Sequence, residues 1–145
     1  MEKLTYDLTS TPNAGSGETT LFSYSLPAGT LAVNGQAIHI RVAGSTALNG
    51  NTKTLRMKFG AVTFMTTNLG GNSINNIWGV DCYITRNTAT TQKCNCMFNN
   101  TDGYAITNVS TAGETMSGAI TLLVTGQGTS SSDILRDQVS VFYEP

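Results

Sequence analysis

At 145 residues the chain has the length of one domain, enough to bury roughly 68 to 70% of its unfolded surface around a single core. Charged residues make up only 12% of it, eight basic against nine acidic, for a net charge of −1, and that balance excludes the electrostatic footprint of a general nucleic-acid or membrane-surface binder. Thr, Asn and Ser supply about a third of the residues and Gly fifteen more, a composition that favours strands and turns over helices.

In chain order, "LTYDLT" comes first, with Leu4, Tyr6 and Leu8 alternating with Thr5, Asp7 and Thr9, the period of a strand. "STPNAGSG", Ser10 to Gly17, follows as a flexible linker. Residues 1–17 therefore read as an N-terminal arm and linker, and 18–145 as the folded body. The opening residues contain no apolar run of a secretion signal, and no apolar stretch of about 18 residues suggests a membrane span. The arm is either a docking strand for a partner protein or a neighbouring copy, or an edge strand of its own sheet.

Next come "TTLFSYSLP", a turn at "PAGT", and "QAIHIRVAG", in which Ile38, Ile40 and Val42 alternate with His39 and Arg41. Further strands are expected at Lys53 to Phe59, Ala61 to Thr66, Ile77 to Arg86, Thr90 to Phe98, Glu114 to Thr125 and Asp137 to Tyr143. "NLGGNS", starting at Asn68, lacks the lysine and helix of a phosphate loop and reads as a turn. "NNTDGYAITN", Asn99 to Asn108, reads as a long connection or a recognition tip. No amphipathic helix interrupts the pattern. The expected fold is all-β: a single-domain antiparallel β-sandwich, jelly-roll-like, with a short N-terminal arm. Its core is expected to bury Trp78, Val80, Cys82 and Ile84 against Cys94, Cys96 and Phe98, closed by Ile120, Leu122, Val124, Val139, Val141 and Tyr143.

The chemistry-bearing residues are few. One histidine, His39, flanked by Ile38 and Ile40, reads as an outward-facing strand residue rather than a catalytic base. Asp81, Asp102, Asp133 and Asp137 announce no carboxylate pair, so no enzyme activity is expected. Cys82, Cys94 and Cys96 are odd in number and read as reduced, buried thiols, with neither a disulfide nor a metal; no cofactor is expected. Two surfaces remain as candidates. "NGNTKTLRMKFG" places Lys53, Arg56 and Lys58 on one strand face, joined by Arg41, as an interface to a partner subunit or simply a solvated face. Trp78 beside Asn75 and Asn76 suggests either core packing or a sugar-stacking platform.

"SYSLPAGTLAVNGQAIHIRVAGSTALNGNTKTLRMKFGAV", Ser23 to Val62, followed by "YITRNTATTQKCNCMF", Tyr83 to Phe98, resembles a β-rich domain of tailed-bacteriophage virion proteins. The resemblance lies in strands and turns, not in a catalytic signature. It implies a capsid decoration or cement protein on the outer surface of the virion, made in the bacterial host cytoplasm. The implied partners are the major capsid protein and two further copies of the chain in a homotrimer, with no nucleic acid and no membrane. The alternative it implies is a receptor- or glycan-binding tip of a tail fibre or head spike.

Overall fold

The computed structural model describes residues 1–69, 76–103 and 105–145. Eleven strands account for its regular structure: β1 (Glu2–Asp7), β2 (Thr11–Pro12), β3 (Thr19–Leu26), β4 (Ala37–Thr46), β5 (Thr54–Phe59), β6 (Val62–Asn68), β7 (Ile77–Thr88), β8 (Thr91–Asn100), β9 (Ala105–Ala112), β10 (Ile120–Gln127) and β11 (Ile134–Glu144). They form two antiparallel sheets. The larger has the order β1-β11-β4-β7-β8-β9, with β2 also on β11; the smaller runs β3-β10-β5-β6. The protein is an all-β sandwich.

The pairing is nested. β5 pairs with β6, β4 with β7, β3 with β10 and β1 with β11, as though one long hairpin had been folded over. β11 then lies along β4, and β10 along β5, which closes two four-stranded halves. Counting only these eight strands, the sheets read 1-8-3-6 and 2-7-4-5, the connectivity of a jelly roll. The β8–β9 hairpin is an extension that widens the first sheet. β1 is thus the first strand of the jelly roll rather than an appendage.

Alternation explains which residues turn inward. On β4, Ile38, Ile40 and Val42 are buried; on β7, Trp78, Val80, Cys82 and Ile84; on β8, Cys94, Cys96 and Phe98. Across the sandwich they meet Leu55, Met57 and Phe59 of β5 and Ile120, Leu122 and Val124 of β10. Tyr143 packs on the margin of this core, half-buried. Each large apolar side chain withdrawn from water contributes on the order of 1.5 to 3 kcal/mol.

Three local expectations fail for identifiable reasons. The strand expected to start at Glu114 starts at Ile120, because Glu114 is held outside any strand in the connection after β9: its N–H donates to Gln92 Oε1 at 3.0 Å and its carbonyl accepts from Gln92 Nε2 at 2.7 Å. The connection expected over Asn99 to Asn108 contains the end of β8 and the first half of β9, which pairs along β8 from Asn99↔Ala105 to Gln92↔Ala112. β9 escapes an apolar-periodicity criterion because its inward positions include Asn108 and Ser110, half-buried at a sheet edge. Finally, Cys82 and Cys96 form a disulfide, and only Cys94 is a free thiol. The β7–β8 register sets Cys82 directly opposite Cys96, with Cα atoms 4.1 Å apart. Burial raises the Cys94 thiol pKa to about 11, against a lesser lowering by its hydrogen bond with Ser110. Part of the expected turn at "NLGGNS", residues 70–73, lies outside the described residues.

Candidate functional site

The basic strand does not present the surface its composition suggests. Lys53 has the same parity as Leu55, Met57 and Phe59, so it points inward with them and is wholly buried. Its ammonium donates to Asn49 Oδ1 (2.8 Å), the Asn51 carbonyl (3.0 Å) and the Asn49 carbonyl (3.1 Å). Burial lowers its pKa, and the nearby Asp133 carboxylate opposes that shift. Asp133 is itself buried and accepts from the Ser130 and Thr129 N–H groups and from the Asn49 and Asn51 amides, at 2.8 to 3.1 Å. Burial alone would raise the Asp133 pKa, but these donors outweigh it and bring the carboxyl down to about 2.

Arg56 and Lys58 do share the outer face of the smaller sheet, where both are directed at Glu18. Lys58 pairs with Glu18 Oε1; Arg56 Nη1 lies 3.7 Å from Glu18 Oε2 and donates to Gln127 at 3.0 Å. Lys58, and then the Thr125 hydroxyl, lower the Glu18 pKa. Arg41 lies on β4, in the other sheet, and pairs with Asp81 at 3.2 Å. The four basic residues therefore form no common patch: one is interior and three have acidic partners.

The N-terminal strand is fastened to the body. Arg136, 1% exposed, donates to Asp7 Oδ2 (2.7 Å), the Thr11 hydroxyl (2.8 Å) and the Leu21 carbonyl (3.0 Å), joining β1, β2 and β3. The Thr9 N–H, and next Arg136, lower the Asp7 pKa. Asn13, equally buried, accepts from the Ile134 N–H (2.8 Å) and donates to the Ser130 and Gly15 carbonyls (both 2.9 Å). The segment expected to be a flexible linker is thus hydrogen-bonded into the sheet end. Leu4 packs against the core, whereas Tyr6 and Leu8 are exposed.

Trp78 and Asn76 are both 1% exposed. The indole N–H donates to the Ser45 carbonyl at 3.1 Å, and the Asn76 amide to the Leu69 carbonyl at 3.1 Å. A ring enclosed in the core offers no face to a sugar. Asn75, the third member of that expected platform, lies outside the described residues.

The outer face of the larger sheet is the surface that sequence alone does not reveal. Register aligns Ser140, Arg41, Asp81, Met97 and Thr107 in one row across five strands. The next row holds Phe142, His39, Tyr83, Asn95 and Val109; the row on the other side holds Gln138, Ala43, Gly79, Asn99 and Ala105. His39 is 5% exposed despite facing outward, because Tyr83 stacks on it at 4.2 Å and Phe142 tilts against it at 5.9 Å. Its Nε2 lies 2.6 Å from Asp81 Oδ1, and its Nδ1 has no hydrogen-bond partner. Among the described residues, no hydroxyl or thiol is hydrogen-bonded to His39 Nδ1.

Large apolar side chains are exposed at both margins of this face: Tyr6 at 59% on β1, Met97 at 54% on β8 and Val109 at 75% on β9. Between them lies a depression of about 420 Å³. Ala43 and Gly79 line it, together with Gln138, Ser140, Arg41, Asp81, Asn99 and Phe142. Among the described residues no group of three or more His, Cys, Asp or Glu is placed to hold a metal ion.

No protein-family model matches the chain, and neither does any curated protein. Among solved structures, the infectious bursal disease virus VP2 subviral particle is similar at a TM-score of 0.33 and 15% identity, over 96% of this chain and 40% of that one. The Gt strain of the same virus is similar at 0.33 and 13%, over 94% and 39%. The chain therefore spans about 40% of the length of the chains it matches. A likeness this loose carries no argument about function.

Proposed function

We propose that the protein is a structural component of a tailed-bacteriophage virion: a capsid decoration or cement protein that binds between major-capsid subunits on the outer surface, as a homotrimer. The observation that carries this reading is the placement of Tyr6, Met97 and Val109. Exposed apolar groups at opposite margins of one sheet suit lateral contact with neighbouring subunits, which would cover them. Two features support it. Most of the basic side chains discussed above are paired within the chain, so docking would rest on shape and apolar area rather than on a charged patch. A Cys82–Cys96 disulfide persists in oxidising surroundings, which suits a particle surface outside the cell.

The test is co-sedimentation of purified protein with shells that lack it. Saturable binding is expected, lost when Tyr6→Glu and Val109→Glu place charge at the margins and leave the fold intact. Failure to bind shells, or binding indifferent to both substitutions, contradicts the proposal. For the second reading, a receptor- or glycan-binding tip, the burial of Trp78 removes the platform on which it was drawn.

A further inference from the structure

We propose that the depression on the outer face of the larger sheet is a binding site for a neutral saccharide, at a different place from the Trp78 platform and independent of where the protein sits on a particle. Its shape follows from sequence. Ala43 and Gly79 are paired neighbours on β4 and β7, and as two small residues side by side in the middle of their row they leave a hollow in the sheet face. Gln138 and Asn99 flank them in the same row, one strand further out on each side. A side chain at position 79 would crowd Asn99, since a Cβ there would lie 3.3 Å from its Oδ1.

The lining has the chemistry of hydroxyl recognition. Among the described residues, none of Gln138, Asn99 and Ser140 shares its side chain in a hydrogen bond, so two amides and one hydroxyl face the hollow with donors and acceptors available. Asp81 and Arg41 add an acceptor and a donor held 3.2 Å apart as an ion pair. Their opposite charges cancel, which favours an uncharged ligand over an anion or a cation. Phe142, half-buried beside them, supplies an apolar wall for the C–H face of a pyranose ring. A few convergent polar groups around a partly apolar concavity are the general pattern of small-ligand sites. A hollow open to solvent in this way implies weak, millimolar affinity for a single sugar unit, strengthened by multivalency where several copies are displayed together.

The experiment is an NMR titration of the full-length protein with the methyl glycosides of glucose, galactose and mannose. At least one should give saturable backbone shifts confined to the residues around Arg41, Gly79, Asn99 and Gln138. Asn99→Ala and Gln138→Ala should each weaken that affinity roughly 5- to 10-fold, the loss of one hydrogen bond. Ala43→Phe, which fills the hollow from an outward-facing position, should abolish it, while Thr121→Ala on the opposite sheet leaves it unchanged. Amide spectra of the variants report whether the fold is intact. No saturable shift with any of the three glycosides, shifts centred elsewhere, or binding that survives Ala43→Phe overturns the proposal.

Discussion

At the scale of single residues, the end of the sandwich where Lys53 and Asp133 lie is held by buried polar groups whose hydrogen bonds are satisfied locally. Lys53→Met should cost about 3 kcal/mol, because it removes a buried charge while leaving three oxygen acceptors and the Asp133 carboxylate without it. Urea denaturation of the variant measures this. Asp133 predicts a pH effect. Its carboxyl titrates at about 2 in the folded chain against an ordinary value of 3.8, so the folded state favours the ionised form. That stability, on the order of 2 kcal/mol, is fully present above about pH 4 and is lost as pH falls through about 2. Asp133→Asn should therefore show a shallower loss of stability over that window than the parent. Gly44 is a third such point. A Cβ there would collide with the Leu135 carbonyl oxygen and lie 2.7 Å from the Trp78 ring, so Gly44→Ala should destabilise the fold although alanine suits a strand no less than glycine.

At the scale of elements, the disulfide is where sequence and structure differ, and β1 is where the sequence leaves two readings open, of which the structure has the edge strand of its own sheet. Removing residues 1–17 would strand Arg136, whose guanidinium is buried and bonded to Asp7 and Thr11. The truncated chain should lose several kcal/mol or fail to fold, as a buried charge without its partners requires; thermal unfolding decides this, and a truncated protein of undiminished stability contradicts it. The alternation of Leu4, Tyr6 and Leu8 reveals a strand, but not its partner. What fixes β1 to β11 is an arginine near the far end of the chain, and "ILRDQ" carries no local mark of its burial. The disulfide was closer to legible. A β7–β8 turn centred on residue 89 places 82 opposite 96 and 84 opposite 94, so the register alone distinguishes Cys96 from Cys94 as the partner of Cys82. Thiol counting under denaturing, non-reducing conditions should find one free thiol per chain. Reduction should lower stability by roughly 3 kcal/mol, the chain-entropy value for a loop of about 15 residues.

The core strands were legible because their inward positions are apolar without interruption, from Ile38 through Val42 on β4 and from Trp78 through Ile84 on β7. Lys53 was not, since a lysine in an alternating strand is ordinarily outward, and only its parity with Leu55 shows otherwise. The outer-face depression could not be read at all. It is assembled from β11, β4, β7 and β8, strands whose spatial order is set by nested pairing and not by adjacency in the chain.

At the scale of the whole molecule, a jelly roll widened by an extra hairpin presents one broad sheet face, apolar at its margins and polar at its centre. Lateral packing of three copies would cover the margins and satisfy exposed edges by closed symmetry, and the mass in dilute solution should then approach three chains. The central claim, that this is a structural protein of the shell, is tested most directly by imaging the intact particle at a resolution that places a domain of 15.3 kDa. The account predicts density for the sandwich repeated over the capsid lattice at positions between major-capsid subunits. Density confined to the tail or its fibres, with the shell bare, would contradict it.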